Sequence, residues 1–186
     1  MQTSTNGQTD NIDKLARKLS IVKLPLNSPK NYRLDRSVDW VDEIFKEMND
    51  GSDAMGMLSI ELELTRKKSA ELDEHIVINA KVVADVTRQC VRCLVDTMEH
   101  SEAEFECCCI EEEYKEDEVY AETETVLCDN KEMELYFMEN RSIDLASIIH
   151  EQVFVNYNYY PLHDPNCLGL CPTTGKNLNY EEKTVH

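Results

Sequence analysis

The sequence predicts an α+β fold in which a curved antiparallel β-sheet packs against two main helices, with a Cys/His clip near the C-terminal end. Three observations predict it. Hydrophobic and polar residues alternate over long stretches between residues 57 and 109, as in half-buried strands. Two segments, near residues 40 and 145, carry hydrophobic residues at helical spacing, and two short cysteine motifs predict the clip. We expect about five or six strands, and partial closure into a barrel is left open.

Length and composition favour a single domain. The chain has 186 residues, enough for a sizeable core, and we assign residues 1–11 to a disordered lead and 12–182 to the domain. No apolar run reaches the length of a membrane-spanning helix, and the polar start of the chain lacks the apolar segment of a signal peptide. We therefore expect a cytoplasmic protein without membrane contact, in which the eight cysteines are reduced.

Charge is distributed unevenly along the chain. The net charge is −18, but residues 1–36 carry +4, which leaves −22 for residues 37–186. The acidic part would attract a basic protein partner, although plain solubility is a simpler interpretation of the same acidity. The basic segment offers Lys14, Arg17 and Lys18 as residues that could contact RNA phosphates.

The first predicted elements are short, and a stronger helix follows them. Residues 12–19 have a spacing that predicts one or two helical turns, and residues 21–24 and 31–36 resemble short strands. The helix is predicted over residues 40–49, with Gly51 suited to its end. Its hydrophobic face consists of Trp40, Val41, Ile44, Phe45 and Met48. The chain's one tryptophan is therefore expected in the core.

Three alternating segments predict an antiparallel meander. The strands cover residues 57–65, 76–87 and 103–109, and a polar turn over residues 66–73 joins the first two. The run Cys107-Cys108-Cys109 lies in the third strand, where small hydrophobic side chains explain it better than metal or redox chemistry does. The same holds for Cys128.

An acidic stretch separates the meander from the second helix. Residues 111–124 are rich in Glu and Asp and predict a solvated loop, after which residues 133–137 predict the last strand. Asp144 is placed as the N-cap of a helix whose buried stripe contains Leu145, Ile148, Ile149 and Val153. The tyrosines that follow, at residues 157–160, are expected to pack beneath the clip, and stacking on bases is the alternative.

Two cysteine motifs predict a zinc site. Cys90 and Cys93 are separated by two residues in the turn between the second and third strands, as in the first half of a zinc knuckle. His163, Cys167 and Cys171 follow one another with three intervening residues each, which is also within the range of zinc sites. Thiolate and imidazole ligands suit zinc, whereas calcium and magnesium prefer oxygen.

The fourth ligand remains open from spacing alone. A two-knuckle ribbon would use Cys171, whereas a Cys3His site would use His163. The second motif lacks a C-x-x-C pair because Thr174 stands three positions after Cys171. Without metal, Cys90 and Cys93 would be a redox pair or two buried thiols. The predicted clip, over residues 157–179, joins the tail to the hairpin turn.

Taken in this order, the motifs resemble those of the YceD family, the large ribosomal RNA subunit accumulation proteins. A strand ends in C-x-R-C-L, an acidic stretch follows, I-D-L opens a helix, and a compact motif ends in G-L-C-P-x-x-G-x-x-L-N. The matching residues are Cys90, Arg92, Cys93, Leu94, Ile143, Asp144, Leu145, Pro161, Cys167, Gly169, Leu170, Cys171, Pro172, Gly175, Leu178 and Asn179. Some members carry a His-Asp pair ahead of a Cys, so the resemblance favours Cys90, Cys93, His163 and Cys167 as one ligand set.

The resemblance implies a role in 23S ribosomal RNA accumulation and large-subunit assembly, without enzymatic activity. The sequence contains no P-loop and no dinucleotide-binding motif. One hypothesis is that the acidic protein binds a basic ribosomal protein or an assembly intermediate. A second is direct rRNA binding through the basic segment, with Arg92 at the hairpin turn. A third, a zinc-dependent RNA hydrolase, would need an open metal position and a base such as His150 or Glu151.

Overall fold

The computed structural model describes residues 14–49 and 55–180, and these form a six-stranded sheet, a two-stranded sheet and two helices. The predicted lead at residues 1–11 and the helix stop at Gly51 lie outside the described residues. The strands are β1 (Lys18–Ser20), β2 (Pro29–Asp35), β3 (Met57–Ser69), β4 (Asp73–Gln89), β5 (Asp96–Glu111), β6 (Thr125–Cys128), β7 (Lys131–Met138) and β8 (Ser142–Asp144). The helices are α1 (Asp39–Met48) and α2 (Leu145–Val155).

The large sheet has the order β2-β3-β4-β5-β7-β6. Strands β3, β4 and β5 form the predicted antiparallel meander, and β2 pairs antiparallel with β3. Together with the two helices this confirms the α+β class. The pairing of β5 with β7 is parallel, which makes the sheet mixed, whereas β7 and β6 form an antiparallel hairpin. Within the described residues β2 and β6 are open edges, so the sheet does not close into a barrel.

One face of the sheet packs against both helices and forms the main core. The even-numbered residues of β3 from Leu58 to Leu64 point into it because side chains alternate across a strand, and Ile60 and Leu64 are fully buried there. The predicted helical face of α1 is buried as expected, and the indole Nε1 of Trp40 donates to the carbonyl of Leu15 at 2.9 Å. Asp144 caps α2 by accepting from the backbone N–H of Ser147 at 3.1 Å, as predicted.

Two sequence predictions near the N-terminal end are wrong. Residues 18–20 form the strand β1, which pairs with β8, where the spacing predicted helical turns. Residues 21–23 form a 3-10 turn, and no strand is present there. The hydrophobic residues of this segment, Leu15, Leu19 and Ile21, are buried. Their pattern therefore predicts contact with the core but does not determine whether the backbone is helical or extended.

The β3–β4 hairpin is longer than the sequence predicts. β3 continues to Ser69, which pairs with Asp73, although residues 66–73 are polar enough to predict a turn. Arg66 and Glu74 lie on these extended ends and form an ion pair of 2.6 Å, and Arg141 adds a second contact to Glu74. Opposite charges across the strands therefore support pairing where the polarity of the sequence indicates a loop.

The other face of the sheet carries a small second core under the acidic stretch. Cys108, Cys128 and Met133 are buried in it, and Tyr114 and Tyr120 pack against it from above with ring centres 5.7 Å apart. The acidic residues of this stretch are exposed for the most part, as predicted, but its two tyrosines fix it to the sheet. Cys107 and Cys109 lie in the main core, so all three consecutive cysteines are buried small side chains.

Candidate metal centre

The first cysteine motif forms the turn between β4 and β5. The backbone N–H of Cys90 donates to the carbonyl of Val95 at 2.9 Å, and the N–H of Leu94 donates to the carbonyl of Cys90 at 2.9 Å. These two bonds close a tight turn over residues 90–95. The turn places the thiols of Cys90 and Cys93 on one side, and these residues are 0% and 4% exposed.

The C-terminal tail lies against this turn through backbone hydrogen bonds. Val91 donates its N–H to the carbonyl of Pro161 at 3.0 Å, and Leu170 donates to the carbonyl of Arg92 at 3.1 Å. Gly169 has a φ of 76°, and a Cβ at this position would lie 3.2 Å from the carbonyl oxygen of Arg92. The positive φ therefore favours glycine here, and a side chain would also require Arg92 to shift slightly.

The two motifs bring four metal-ligating groups together. The side-chain ligand atoms of Cys90, Cys93, His163 and Cys167 all lie within 4.8 Å of one another. The Sγ atoms of Cys90 and Cys167 are 3.7 Å apart, and the Sγ atom of Cys93 is 3.2 Å from Nδ1 of His163. Among the residues that the structure describes, no other such Cys, His, Asp or Glu group is present.

This geometry fits a tetrahedral ion. Sulfurs at the usual zinc distance of about 2.3 Å from one tetrahedral ion lie about 3.8 Å apart, close to the separation of Cys90 and Cys167. Three sulfurs and one imidazole nitrogen form a donor set that zinc prefers over calcium or magnesium. The chemistry and the spacing of the donors both suit a closed, four-coordinate site.

The thiols of the cluster have shifted acidity. Burial would raise the pKa of Cys90, but hydrogen bonds from the side chain and backbone of His163 and from the backbone of Arg92 and Cys93 outweigh it and lower the pKa to about 5. The pKa of Cys93 is raised, because burial and the adjacent sulfurs of Cys90 and Cys167 disfavour a further negative charge. The lowered pKa of Cys90 favours its thiolate, the form that binds metal.

A surrounding shell orients the ligands from outside. The guanidinium of Arg92 donates to the carbonyl of Cys167 at 3.0 Å. The side-chain amide of Asn179 donates to the Sγ of Cys167 at 3.4 Å, while its Oδ1 accepts from the backbone N–H of Leu168 at 2.8 Å. The sequence points to Asn179 through the family motif alone, because no spacing rule for zinc includes an amide.

The remaining candidate residues lie elsewhere. Cys171 is not part of the four-residue group, and its backbone N–H donates to the carbonyl of Lys176 at 2.8 Å in the next turn. Lys14 is exposed beside the buried Leu15. Arg17 and Lys18 both lie within 4 Å of the Asp144 carboxylate.

The residues considered as a catalytic base are on α2. Nε2 of His150 is 2.9 Å from the carboxylate of Glu47, and the His150 ring lies 4.5 Å from that of Phe154. Neither His150 nor Glu151 belongs to the metal-ligating group. The prediction that the tyrosines pack beneath the clip is wrong, because Tyr159 and Tyr160 are 57% and 77% exposed and Tyr157 packs against the main core.

Comparison with protein families gives one match. The family model described as "Large ribosomal RNA subunit accumulation protein YceD" matches residues 78–186. The matched range begins within β4 and includes both cysteine motifs. Neither the curated proteins nor the solved structures contain a match to the chain. In the described residues, no helix is both long and apolar enough to cross a membrane.

Proposed function

The chain belongs to the YceD family, and from that premise we propose that it supports 23S ribosomal RNA accumulation and large-subunit assembly in the cytoplasm as a non-enzymatic factor. In this proposal the acidic protein binds a basic ribosomal protein or assembly factor and holds it until the RNA takes it over. The family's description supplies the role, and the charges of this chain supply the kind of partner.

The proposal includes a structural zinc ion held by Cys90, Cys93, His163 and Cys167. Four protein ligands complete a tetrahedral coordination shell and leave no position for a reactive water, which is the arrangement of structural zinc sites. This supports a non-enzymatic role over RNA hydrolysis, which requires an open metal position. The ion would fix the tail to the β4–β5 turn.

The choice of a protein partner rests on charge. Arg17 and Lys18, which the sequence predicts to contact RNA, lie beside carboxylates of the protein itself. Arg17 lies 3.4 Å from Glu43 and, like Lys18, adjoins the carboxylate of Asp144. Arg92 donates to the carbonyl of Cys167. Arg17 and Lys18 thus each lie beside a carboxylate of the protein itself, while residues 37–186 carry −22 and repel phosphate. A basic protein fits this charge distribution better than RNA does.

The test compares two defined probes under matched conditions. The probes are naked 23S rRNA and the total protein mixture stripped by high salt from large ribosomal subunits. The wild-type chain is compared with a triple variant, Lys14→Ala, Arg17→Ala and Lys18→Ala. We expect both chains to retain the same basic proteins at low salt and to release them as salt rises, because charge attraction is screened.

The RNA arm decides between the two binding hypotheses. We expect little retention of naked 23S rRNA at 150 mM salt, about the physiological ionic strength. Retention of the RNA by wild type, with loss in the triple variant and a steep dependence on salt, would establish the direct rRNA-binding alternative and refute the protein-partner proposal. Failure of the wild-type chain to retain either probe would refute both.

A further inference from the structure

The metal clip carries apolar side chains that are exposed to solvent and are not packed within the clip itself. Val91, Leu94 and Leu168 are 49%, 56% and 67% exposed, and each lies within one residue of a metal-ligating cysteine. Tyr160, which precedes the proline bonded to Val91, is 77% exposed. We call these four residues the clip surface. The hydrogen bonds from Val91 to Pro161 and from Leu170 to Arg92 hold its two chain segments side by side.

Leu94 combines exposure with an unfavourable backbone conformation. Its φ is 61°, in the left-handed region that disfavours residues with a branched or bulky side chain. Five of the seven non-glycine residues with positive φ in the described chain are Asn or Asp, which tolerate it. Arg141, the sixth, uses its side chain in an ion pair with Glu74. Leu94 is thus the one hydrophobic residue that accepts this strain while most of its side chain faces solvent.

Glycine would relieve the strain at position 94 and still allow the turn. The leucine side chain contributes little to the stability of the fold, because more than half of the residue is exposed. It is also absent from the partly buried residues that pack on the cysteines, which are Val95, Leu162 and Leu170. Strain that the fold does not need is characteristic of functional sites. The side chain of Leu94 is therefore available to contact another molecule.

Exposed hydrophobic side chains are concentrated around the clip. Fourteen large hydrophobic residues are exposed in the described chain, and five of them lie in the turn over residues 90–95 or in the clip over residues 157–179. The other nine are spread over the rest of the described chain, as is normal for a surface. A concentration of this kind marks an interaction site more often than a solvated surface.

We propose that the clip surface docks a basic protein by taking an apolar side chain of that partner against Leu94 and Leu168. This inference rests on the proposed function and names the surface through which it acts. Carboxylates lie close to the patch along the chain, since Asp164 directly follows His163 and Asp96 begins β5 two residues after Leu94. A hydrophobic centre with an acidic rim is complementary to an aliphatic or aromatic anchor flanked by lysine and arginine.

The contacts at the clip favour a protein over RNA as the occupant. Three of the four residues of the clip surface are valine or leucine, whose side chains bury against apolar groups and offer no flat face for stacking bases, and Tyr160 is its one aromatic ring. Arg92 donates to the carbonyl of Cys167, and Arg88 donates to the carbonyl of Asn158 and lies over the Tyr157 ring. These contacts use part of the hydrogen-bonding capacity of both guanidinium groups within the protein.

The decisive variant is Leu94→Gly, because a structural role and a docking role predict opposite outcomes. If Leu94 docks a partner, the variant keeps its zinc content and unfolds at an unchanged or higher temperature, while its affinity for the stripped large-subunit proteins falls at least about tenfold. Leu168→Ser should weaken binding in the same way. The matched control is Leu127→Ser on β6, where the leucine is 68% exposed and far from the clip motifs in the chain.

A photo-crosslinking residue at position 94, compared with one at position 127, identifies the contact directly. The expected product at position 94 is a crosslink to a basic large-subunit protein, and position 127 should give none. If wild type binds the stripped proteins and Leu94→Gly binds them with unchanged affinity, the docking role of the clip surface is refuted. The proposed function would still stand. Absence of binding in wild type would overturn both, and a crosslink to 23S rRNA at position 94 would refute a protein occupant.

Discussion

The sheet core and the clip are held together by different kinds of interaction. The core contains aliphatic and aromatic side chains from both helices and the inner face of the sheet, and Phe45, Ile60 and Ile78 in it are fully buried. The clip contains three buried cysteines and three partly buried hydrophobic residues. Within residues 156–180, the only β-pairing is the single bridge between Leu170 and Asn177.

This difference shows that one short domain can contain two regions with separate sources of stability. Each fully buried aliphatic or aromatic side chain in the core contributes about 1.5–3 kcal/mol. The clip has few such side chains, and in the proposed function a zinc ion bound at the Cys/His cluster supplies the stability of its tail. The two regions meet at β4, which begins at Asp73 in one hairpin and ends one residue before Cys90. Perturbing each region separately tests how far they are independent.

Removal of zinc should have the largest effect, and that effect should be confined to the clip. We expect one zinc per chain, lost in Cys90→Ser and His163→Ala and kept in Cys171→Ser, as elemental analysis would show. Structural zinc contributes on the order of 10 kcal/mol to small domains that depend on it. A chelator should therefore abolish hydrogen-exchange protection over residues 157–179 and leave β3 and β4 protected. Equal hydrogen-exchange protection of the tail with and without chelator would show that the clip does not depend on metal for its stability.

A cavity in the core should give the converse result. Phe45 is fully buried, and the guanidinium of Arg36 lies 3.7 Å from its ring centre. Phe45→Ala should lower the free energy of unfolding by about 3–5 kcal/mol. Urea unfolding monitored by circular dichroism measures this, and the zinc content of the folded variant should stay at one. Val155→Ala, at a residue that is 73% exposed, should change stability by less than about 0.5 kcal/mol.

The end of β4 that lies away from the clip should respond to acid. A hydrogen bond from Arg66, helped by Arg141, outweighs burial and lowers the pKa of Glu74. A lowered pKa in the folded state means that this carboxylate stabilises the protein above its unfolded pKa and loses that contribution as the pH falls through the folded pKa. Glu74→Gln should cost about 1–2 kcal/mol at pH 7, and the deficit should shrink in urea unfolding as the pH falls below 4.

The control for this effect is Glu71→Gln, an exposed residue of the same hairpin turn. Glu71→Gln should change the free energy of unfolding very little, both at pH 7 and below pH 4. Glu74 and Cys90 are separated by roughly 50 Å along β4, at about 3.3 Å per residue. The effects of Glu74→Gln and of chelation should therefore add. Strong non-additivity would mean that β4 transmits strain between the two ends.

The smallest expected effect concerns the junction of β8 and α2. Asp144 both caps α2 and pairs with Arg17 and Lys18. Asp144→Ala should cost about 1 kcal/mol in urea unfolding through loss of the cap. Asp144→Asn keeps a cap acceptor and removes only the exposed ion pairs, so it should cost less than about 0.5 kcal/mol. Equal losses in both variants would assign the stability to the ion pairs.

The fold was predictable where periodicity and burial agree. The alternation in β3, β4 and β5 and the helical face of α1 predict their elements because one side of each faces the core. β6 was not predicted, because only four residues pair at an open edge. The parallel pairing of β5 with β7 depends on the path of the acidic stretch, whose anchoring by Tyr114 and Tyr120 has no periodic signal.

The candidate site was predictable as a residue set, but the choice among its members was not. His163 and Cys171 are equally spaced from Cys167, so spacing alone ranks neither of them. Three-dimensional packing brings His163 to Cys93, and the turn at Gly169 against Arg92 leads the chain on to Cys171 outside the group. The exposure of Leu94 and Tyr160 could likewise be seen only in the structure, because apolar residues beside a metal motif are usually expected to be buried.

The long separation of the two cysteine motifs sets the order of events during protein synthesis. Cys93 precedes His163 by 70 residues, and Cys90 precedes Cys167 by 77. At about 5–20 residues per second, the ribosome needs roughly 4–14 s to make the intervening 70 residues. During that interval the first two thiols have no tail to close over them, while the meander that carries them can already fold. Closure of the site therefore requires that synthesis has passed residue 167, so any protein that recognises the closed clip meets only chains of at least that length.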